Sequence, residues 1–405
     1  MYNVREISPQ IYWIGGNDRR LEQFENLFPL TNGVSYNSWL ILDEKTAIID
    51  TVDDAITDQY LENIEHLMQG RELDYLIINH MEPDHCGNIE NLVRRYPNVK
   101  VVGNKKSFQL FNQFYNMDIT ENQMLVGEGD EISLGKHNLK IITAPMVHWP
   151  EVMMNYETTE GILFAADAFG TFGALTGNLF DDEVDYRNLY LDESRRYYAN
   201  IVGKFGAQVQ SVFRKISSFK INMICSLHGP IFRSDLSLIL DLYDKWSKYE
   251  PEKEGVVIFY GSMYGNTANT ADALANKLGQ RGVKDIRVYD VSKTHPSYII
   301  SDIWKYSHLV AAAPTYNMGL YYPMDNLLHE MAALGVKNRK VAIIGNHSWA
   351  SAAQKLMTER FSSMKNMEII GETFDIKSRL KDDEEQKLDD LADVIAASVL
   401  GNTEE

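Results

Sequence analysis

The 405 residues carry 57 acidic against 39 basic side chains, a formal net charge of −18, which disfavours nucleic-acid backbones and anionic membranes as partners. Two cysteines, Cys86 and Cys225, are too few for a disulfide framework, an all-cysteine zinc site or a cysteine-ligated iron–sulfur cluster, so any metal falls to His and carboxylates. The length suits two domains. Arg5 and Glu6 interrupt what a signal peptide would need as its apolar core, and no apolar run reaches bilayer length; a soluble, cytoplasmic protein is expected.

Taken in chain order, four apolar runs of the first half end at, or lead shortly to, a residue able to bind metal. Leu76 to His80 is the first, Leu139 to Pro145 leads to His148, Ile162 to Asp167 ends in a carboxylate, and Ile221 to His228 ends in an imidazole. Strand ends are rigid places on which to assemble a site. The segment His80-Met-Glu82-Pro-Asp84-His85 places two imidazoles and two carboxylates directly after the first run. Pro83 disfavours helix geometry at Glu82, so an extended loop with His80, Glu82 and Asp84 projecting to one centre is expected. A solvated polar loop explains the same letters. His148, Asp167 and His228, each unremarkable alone as a structural histidine or a turn-forming Asp, strengthen the metal reading. His80, Glu82, Asp84, His148, Asp167 and His228 together suffice for two metal ions, with Asp167 as the bridging ligand. Carboxylate enrichment moves such a site towards iron or manganese, although zinc also accepts these ligands and a two-zinc hydrolase stays open at this point.

A charged, Pro-containing stretch, Lys245 to Glu254, separates the halves, and the expected domains are 1–249 and 250–405. The second half opens with the apolar run Val256 to Tyr260, then Gly261-Ser262-Met263-Tyr264-Gly265-Asn266-Thr267, then a helical pattern to Leu278. Strand-like runs recur at Ile286 to Val291, His308 to Ala313, Lys340 to Ile344 and Glu368 to Ile370, alternating with helical stretches as in a doubly wound parallel sheet. Ser262 to Thr267, between strand and helix, can hold a terminal phosphate on backbone amides, hydroxyls and the helix N-terminus; the plain alternative is a capped turn. Two more strand ends carry loops: Pro314, Thr315, Tyr316, Asn317 and Gly319 in one, Asn346, His347, Ser348, Trp349 and Ala350 in the other. Such loops meet at the carboxyl ends of an open sheet, where Tyr316 and Trp349 can flank an isoalloxazine, unless both are core aromatics. Neither a Walker lysine nor a dinucleotide GxGxxG fingerprint follows the first strand, which favours FMN over ATP or NAD.

Over essentially its whole length the sequence resembles the flavodiiron proteins, or A-type flavoproteins, whose H-x-E-x-D-H pattern is matched from His80 to His85. The resemblance implies an α/β fold: an N-terminal metallo-β-lactamase-like αββα sandwich followed by a flavodoxin-like doubly wound parallel sheet. It further implies that His80, Glu82 and His148 bind one iron, Asp84 and His228 the other, and Asp167 bridges them. His85 corresponds to a residue that in many members lies near the irons without binding them. The implied activity is reduction of O2 to water, or of NO to N2O, at two non-haem irons with electrons relayed by FMN. The implied partners are an external donor, rubredoxin or reduced coenzyme F420, and a second copy in a head-to-tail homodimer or dimer of dimers. A hydrolase fused to a flavodoxin-like module is the rival reading. Cys86 is expected to be inert packing, and a tyrosine of Arg195-Arg-Tyr-Tyr198 is expected near the irons.

Overall fold

A computed structural model describes residues 1–401. It forms two compact units, Met1–Tyr198 with Phe205–Asp244, and Ala199–Lys204 with the chain from Lys245 on. Ala199–Lys204 joins the second unit partly through side chains: Tyr249 Oη donates to Gly203 O at 2.8 Å and Asn200 Nδ2 to Ser297 O at 3.2 Å. Such contacts leave no periodic trace in a sequence.

The first unit holds a seven-stranded and a five-stranded sheet. In the larger, Arg5–Ser8, Ile11–Trp13, Trp39–Leu42 and Thr46–Ile49 pair antiparallel, and Tyr75–Ile77, Lys100–Gly103 and Gln123–Leu125 continue in parallel. In the smaller, Glu131–Ser133, Asn138–Thr143, Met153–Glu157 and Ile162–Phe164 are antiparallel and Met223–Cys225 joins in parallel. The sheets meet face to face where the Trp39 and Phe164 rings lie 5.2 Å apart. Thr46–Ile49, Met153–Glu157 and Ile162–Phe164 are buried at every position, as strands covered on both faces must be. Helix Thr57–Met68 buries Tyr60, Ile64 and Met68, and Gly206–Ile216 buries Val209, Val212 and Ile216; this helical spacing gives each an apolar stripe.

Each of the four apolar runs stops being strand before its candidate ligand, at Ile77, Thr143, Phe164 and Cys225. His80, His148, Asp167 and His228 therefore stand on the loops beyond. The expected extended run from His80 to Asp84 requires correction. Glu82 is extended (φ −68°, ψ 140°), but Pro83–Cys86 is a helical turn with Pro83 in its first turn. Proline is pre-organised for that position, so Pro83 bars helix before itself and starts one after, sending Asp84 and Glu82 to different places.

The second unit is a parallel sheet in the order Ile286–Asp290, Lys253–Tyr260, Tyr306–Tyr316, Arg339–His347, Met367–Ile369. On one face Val256, Ile258, Val310 and Ile344 pack with Leu274 and Leu278 of helix Asn266–Gln280 and Leu388 and Ile395 of helix Glu385–Leu400. The chain leaves Lys253–Tyr260 for one edge and returns to its other side, so the strand order reverses between Lys253–Tyr260 and Tyr306–Tyr316. That reversal opens the crevice where such sheets take ligands.

Candidate functional site

In the first unit the predicted ligands converge as two groups, His80, Glu82, His148 and Asp167, and Asp84, His85 and His228. Nε2 of both His80 and His148 lies 3.1 Å from Glu82 Oε2 and 3.2 Å from Asp167 Oδ2. In the second group Asp84 Oδ2 lies 3.3 Å from His85 Nε2 and 3.4 Å from His228 Nε2. Asp167 Oδ1 is 3.0 Å from His85 Nε2 and 3.6 Å from His228 Nε2. Asp167 thus presents one oxygen to each group.

All seven residues are buried, yet among the described residues both oxygens of Asp84, both of Asp167 and Nδ1 of His85 complete no hydrogen bond; the short approaches to Asp167 are misaligned for one. Buried polar atoms are nearly always satisfied, so converging orphans call for an ion. The electrostatics agree. Burial alone would lower His80, but Asp167, Glu151 and Glu82 hold it well above the usual imidazole range. Against the same burial, carboxylates lift His85 and His148 to about 9. Burial would raise Glu82 and Asp167, but the imidazoles hold both far below ordinary carboxylates.

Surrounding residues fix these side chains. His228 Nδ1 donates to Ser35 O at 2.7 Å and His80 Nδ1 to Glu151 Oε1 at 2.8 Å. Buried Asp50 accepts the backbone N–H groups of Asn79 at 2.7 Å and His80 at 3.2 Å, and burial pushes its carboxyl up to about 7. Asp50, Met146 and Ala166 have φ of 53°, 65° and 50°; left-handed non-glycine residues beside the converging side chains are backbone strain gathered at a site. Phe24, Tyr36 and Tyr197 wall His228 with ring centroids 5.3, 5.9 and 5.6 Å away. Tyr197 Oη is buried without a hydrogen-bond partner among the described residues. Gly170 is required there, since a Cβ would stand 3.3 Å from Tyr197 and 2.9 Å from Asp167 O. Glu25 is exposed overall, but burial at its carboxyl together with the neighbouring Glu82 charge pushes it up to about 8. Cys86 is buried, its thiol facing Met81 O at 3.3 Å, and burial pushes it up to about 12, which suits inert packing.

In the second unit a cavity of about 460 Å³ opens at the carboxyl ends of the strands, within the range of small-molecule sites. Ser262, Met263, Tyr264, Asn266, Thr267, Pro314, Thr315, Tyr316, Asn317, Asn346, His347, Ser348, Trp349 and Ala350 line it, joined by Met318 and Ser378. Gly265 and Gly319 do not. Gly265 precedes helix Asn266–Gln280 at φ 91° and offers no side-chain cap, so the first N–H groups of that helix are left for an anion. Gly319 pairs back onto Tyr316 and shapes the loop. Trp349 and Tyr264 are 90% and 91% exposed and Tyr316 37%, so these rings are not core packing. Thr315 has a structural task, its Oγ1 accepting from Ala352 N and Ala353 N at 3.0 and 3.1 Å. A larger cavity, about 560 Å³, lies at the opposite strand ends beside Glu254, His308 and Lys340. It has neither the phosphate loop nor exposed aromatics and belongs to the wrong end of the sheet for a nucleotide.

The ODP family beta lactamase pattern matches residues 34–229, and the flavodoxin pattern residues 258–390. The nitric oxide reductase of Moorella thermoacetica is 32% identical over 369 residues, 90% of this chain and 91% of that protein. The chain belongs to the flavodiiron protein family. The anaerobic nitric oxide reductase flavorubredoxin of Vibrio vulnificus is 31% identical over 86% of this chain and 70% of that protein. Among solved structures, rubredoxin oxygen:oxidoreductase from Desulfovibrio gigas superposes with a TM-score of 0.92 at 25% identity, covering 98% of this chain and 99% of that one. The flavodiiron protein of Giardia intestinalis gives 0.90 at 25% identity, covering 99% and 98%.

As a flavodiiron protein the chain has a metallo-β-lactamase-like domain followed by a flavodoxin-like one, and its cofactors are FMN and two non-haem irons. The residues present fit both. Orphaned carboxylate oxygens and facing imidazoles suit two oxidisable cations, and uncapped amides below exposed aromatics suit a flavin phosphate and ring. Glu151, Ser35, Glu25 and Ser378 escape the sequence reading: each is a single polar letter outside any motif, placed only by tertiary folding. Among the described residues no helix is long and apolar enough to cross a membrane.

Proposed function

We propose that this flavodiiron protein reduces O2 to water or NO to N2O. His80, Glu82, His148 and Oδ2 of Asp167 would hold one iron; Asp84, His85, His228 and Oδ1 of Asp167 would hold the other. Bound there, an iron pair would supply the redox chemistry for the gas, and FMN would link it to an external donor. The observation that carries this reading is the division of the two Asp167 oxygens between two ligand groups in a chain that also builds a flavin cavity.

The chain's own groups define the rest. Nδ1–H donation from His80 and His228 leaves each Nε2 lone pair facing inward. Phe24, Tyr36 and Tyr197 exclude water from the His228 side, while Tyr197 Oη holds a proton it can donate to an oxygen-bearing substrate. Ser262, Asn266 and Thr267 would bind the FMN phosphate, with Tyr316 and Trp349 against the flavin ring. We place the functional boundary at 249/250 and assign the protein to the cytoplasm. Rubredoxin is the donor we favour, with reduced coenzyme F420 as the second choice; the working form is a head-to-tail homodimer or dimer of dimers. Metal and flavin analysis of purified protein tests the cofactor assignment. Two irons and one FMN per chain are expected, whereas stoichiometric zinc without flavin would return the chain to the hydrolase reading.

A further inference from the structure

The two metal positions are backed by different chemistry. Behind His80 stands Glu151, 1% exposed, whose Oε1 accepts both the imidazole Nδ1–H at 2.8 Å and the Met81 backbone N–H at 2.9 Å. Its other oxygen completes no hydrogen bond among the described residues, so the carboxylate is engaged through Oε1, by His80 and the Met81 N–H. The segment is anchored as well. Asn104 Nδ2 donates to Glu151 O at 2.5 Å, while Asn104 Oδ1 caps helix Lys105–Phe114 by accepting Lys106 N at 2.9 Å and Ser107 N at 3.2 Å. Glu151 is thus tied to the rigid start of a ten-residue helix, and its carboxylate in turn fixes the His80 ring in orientation and tautomer.

Behind His228 stands a neutral acceptor, Ser35 O, at 2.7 Å. Nδ1 of His85 has no hydrogen-bond partner among the described residues. An anion on Nδ1–H draws the proton and makes Nε2 a stronger donor than a carbonyl does, and loss of such an outer partner costs about 10–100-fold in metal affinity. We propose that Glu151 is a positioning residue that makes the two sites unequal: the iron held through His80 is bound more tightly than the iron held through His228. This rests on the proposed ligand assignment, and Glu151 itself touches neither metal nor substrate.

Chelator titration of the iron-loaded full-length protein under argon, followed by the iron remaining and by its midpoint potentials, tests the inference. The wild-type chain should lose iron in two steps. Glu151→Gln should weaken the tighter step about 10–100-fold and raise its potential while leaving the weaker step in place; Glu151→Asp, which keeps the charge, should recover most of the loss. A wild-type titration in which both irons leave together, an unchanged Glu151→Gln titration, or equal losses in Glu151→Gln and Glu151→Asp would each overturn the inference alone. A wild-type chain that takes up no iron would overturn the functional reading with it.

Discussion

The Nε2 atoms of His85 and His228 face each other across 3.1 Å, with oxygens of Asp84 and Asp167 converging on the same space. One shared hydrogen can satisfy these two nitrogens, but it leaves the carboxylates without donors. A cation satisfies all of them. Iron binding to the folded chain should therefore stabilise it, by about 2.7 kcal/mol at a hundredfold excess over the dissociation constant. Thermal unfolding of chelated and reloaded protein checks this; equal midpoints would mean the cluster needs no metal to hold it.

Asp167 is expected to be indispensable to both metal positions, since its oxygens divide between them. Asp167→Ala should lose iron and turnover together while FMN stays bound, read by metal analysis and flavin absorbance on one sample. Iron retained at the wild-type level would remove Asp167 from the bridging role.

Trp349 should matter to flavin and not to iron. Its ring is 90% exposed in a cavity wall, and aromatic stacking contributes about 0.5–1.5 kcal/mol beyond buried area. Trp349→Ala is expected to weaken FMN binding by several-fold to about tenfold or more, measured by quenching of flavin fluorescence. An unchanged dissociation constant would place the ring away from the flavin.

His308 provides a pH test of the second unit. Lys340 Nζ donates to Ser398 Oγ at 2.7 Å, which leaves the Ser398 O–H to donate to His308 Nε2 at 2.9 Å; His308 Nδ1 in turn meets Ser307 Oγ at 2.7 Å. The ring is 2% exposed, and burial, with the Lys340 charge, pushes it from 6.5 down to about 4. Between those values the unfolded chain binds more protons, so this contribution to stability is complete above 6.5 and is lost as pH falls towards 4. His308→Gln should flatten the acid limb of a pH–unfolding profile for this unit; an unaltered slope would show that His308 titrates normally.

Much of this organisation was legible in the sequence because the fold places chemistry at strand ends. His80, His148, Asp167 and His228 each follow an apolar run, and Thr267, Tyr316 and Trp349 follow runs of the parallel sheet. The extended alternation of His80, Glu82 and Asp84 failed because Pro83, read as a helix breaker, opens a helical turn. Glu151 was invisible for another reason: it lies 71 residues from His80 in the chain, and a lone Glu after Trp149-Pro150 has no periodicity to betray its target. Ala199–Lys204 is similar, since its membership of the second unit depends on contacts from residues far along the chain.

The most direct test of the proposed activity is gas consumption by the iron-loaded, FMN-bound protein, fed by reduced rubredoxin and supplied in turn with known amounts of O2 and NO. Repeated reoxidation of the flavin, with O2 consumed to water or NO to N2O in proportion to the electrons delivered, is the expected result. A flavin that stays reduced in the presence of both gases, in protein shown to hold its iron, would contradict the account.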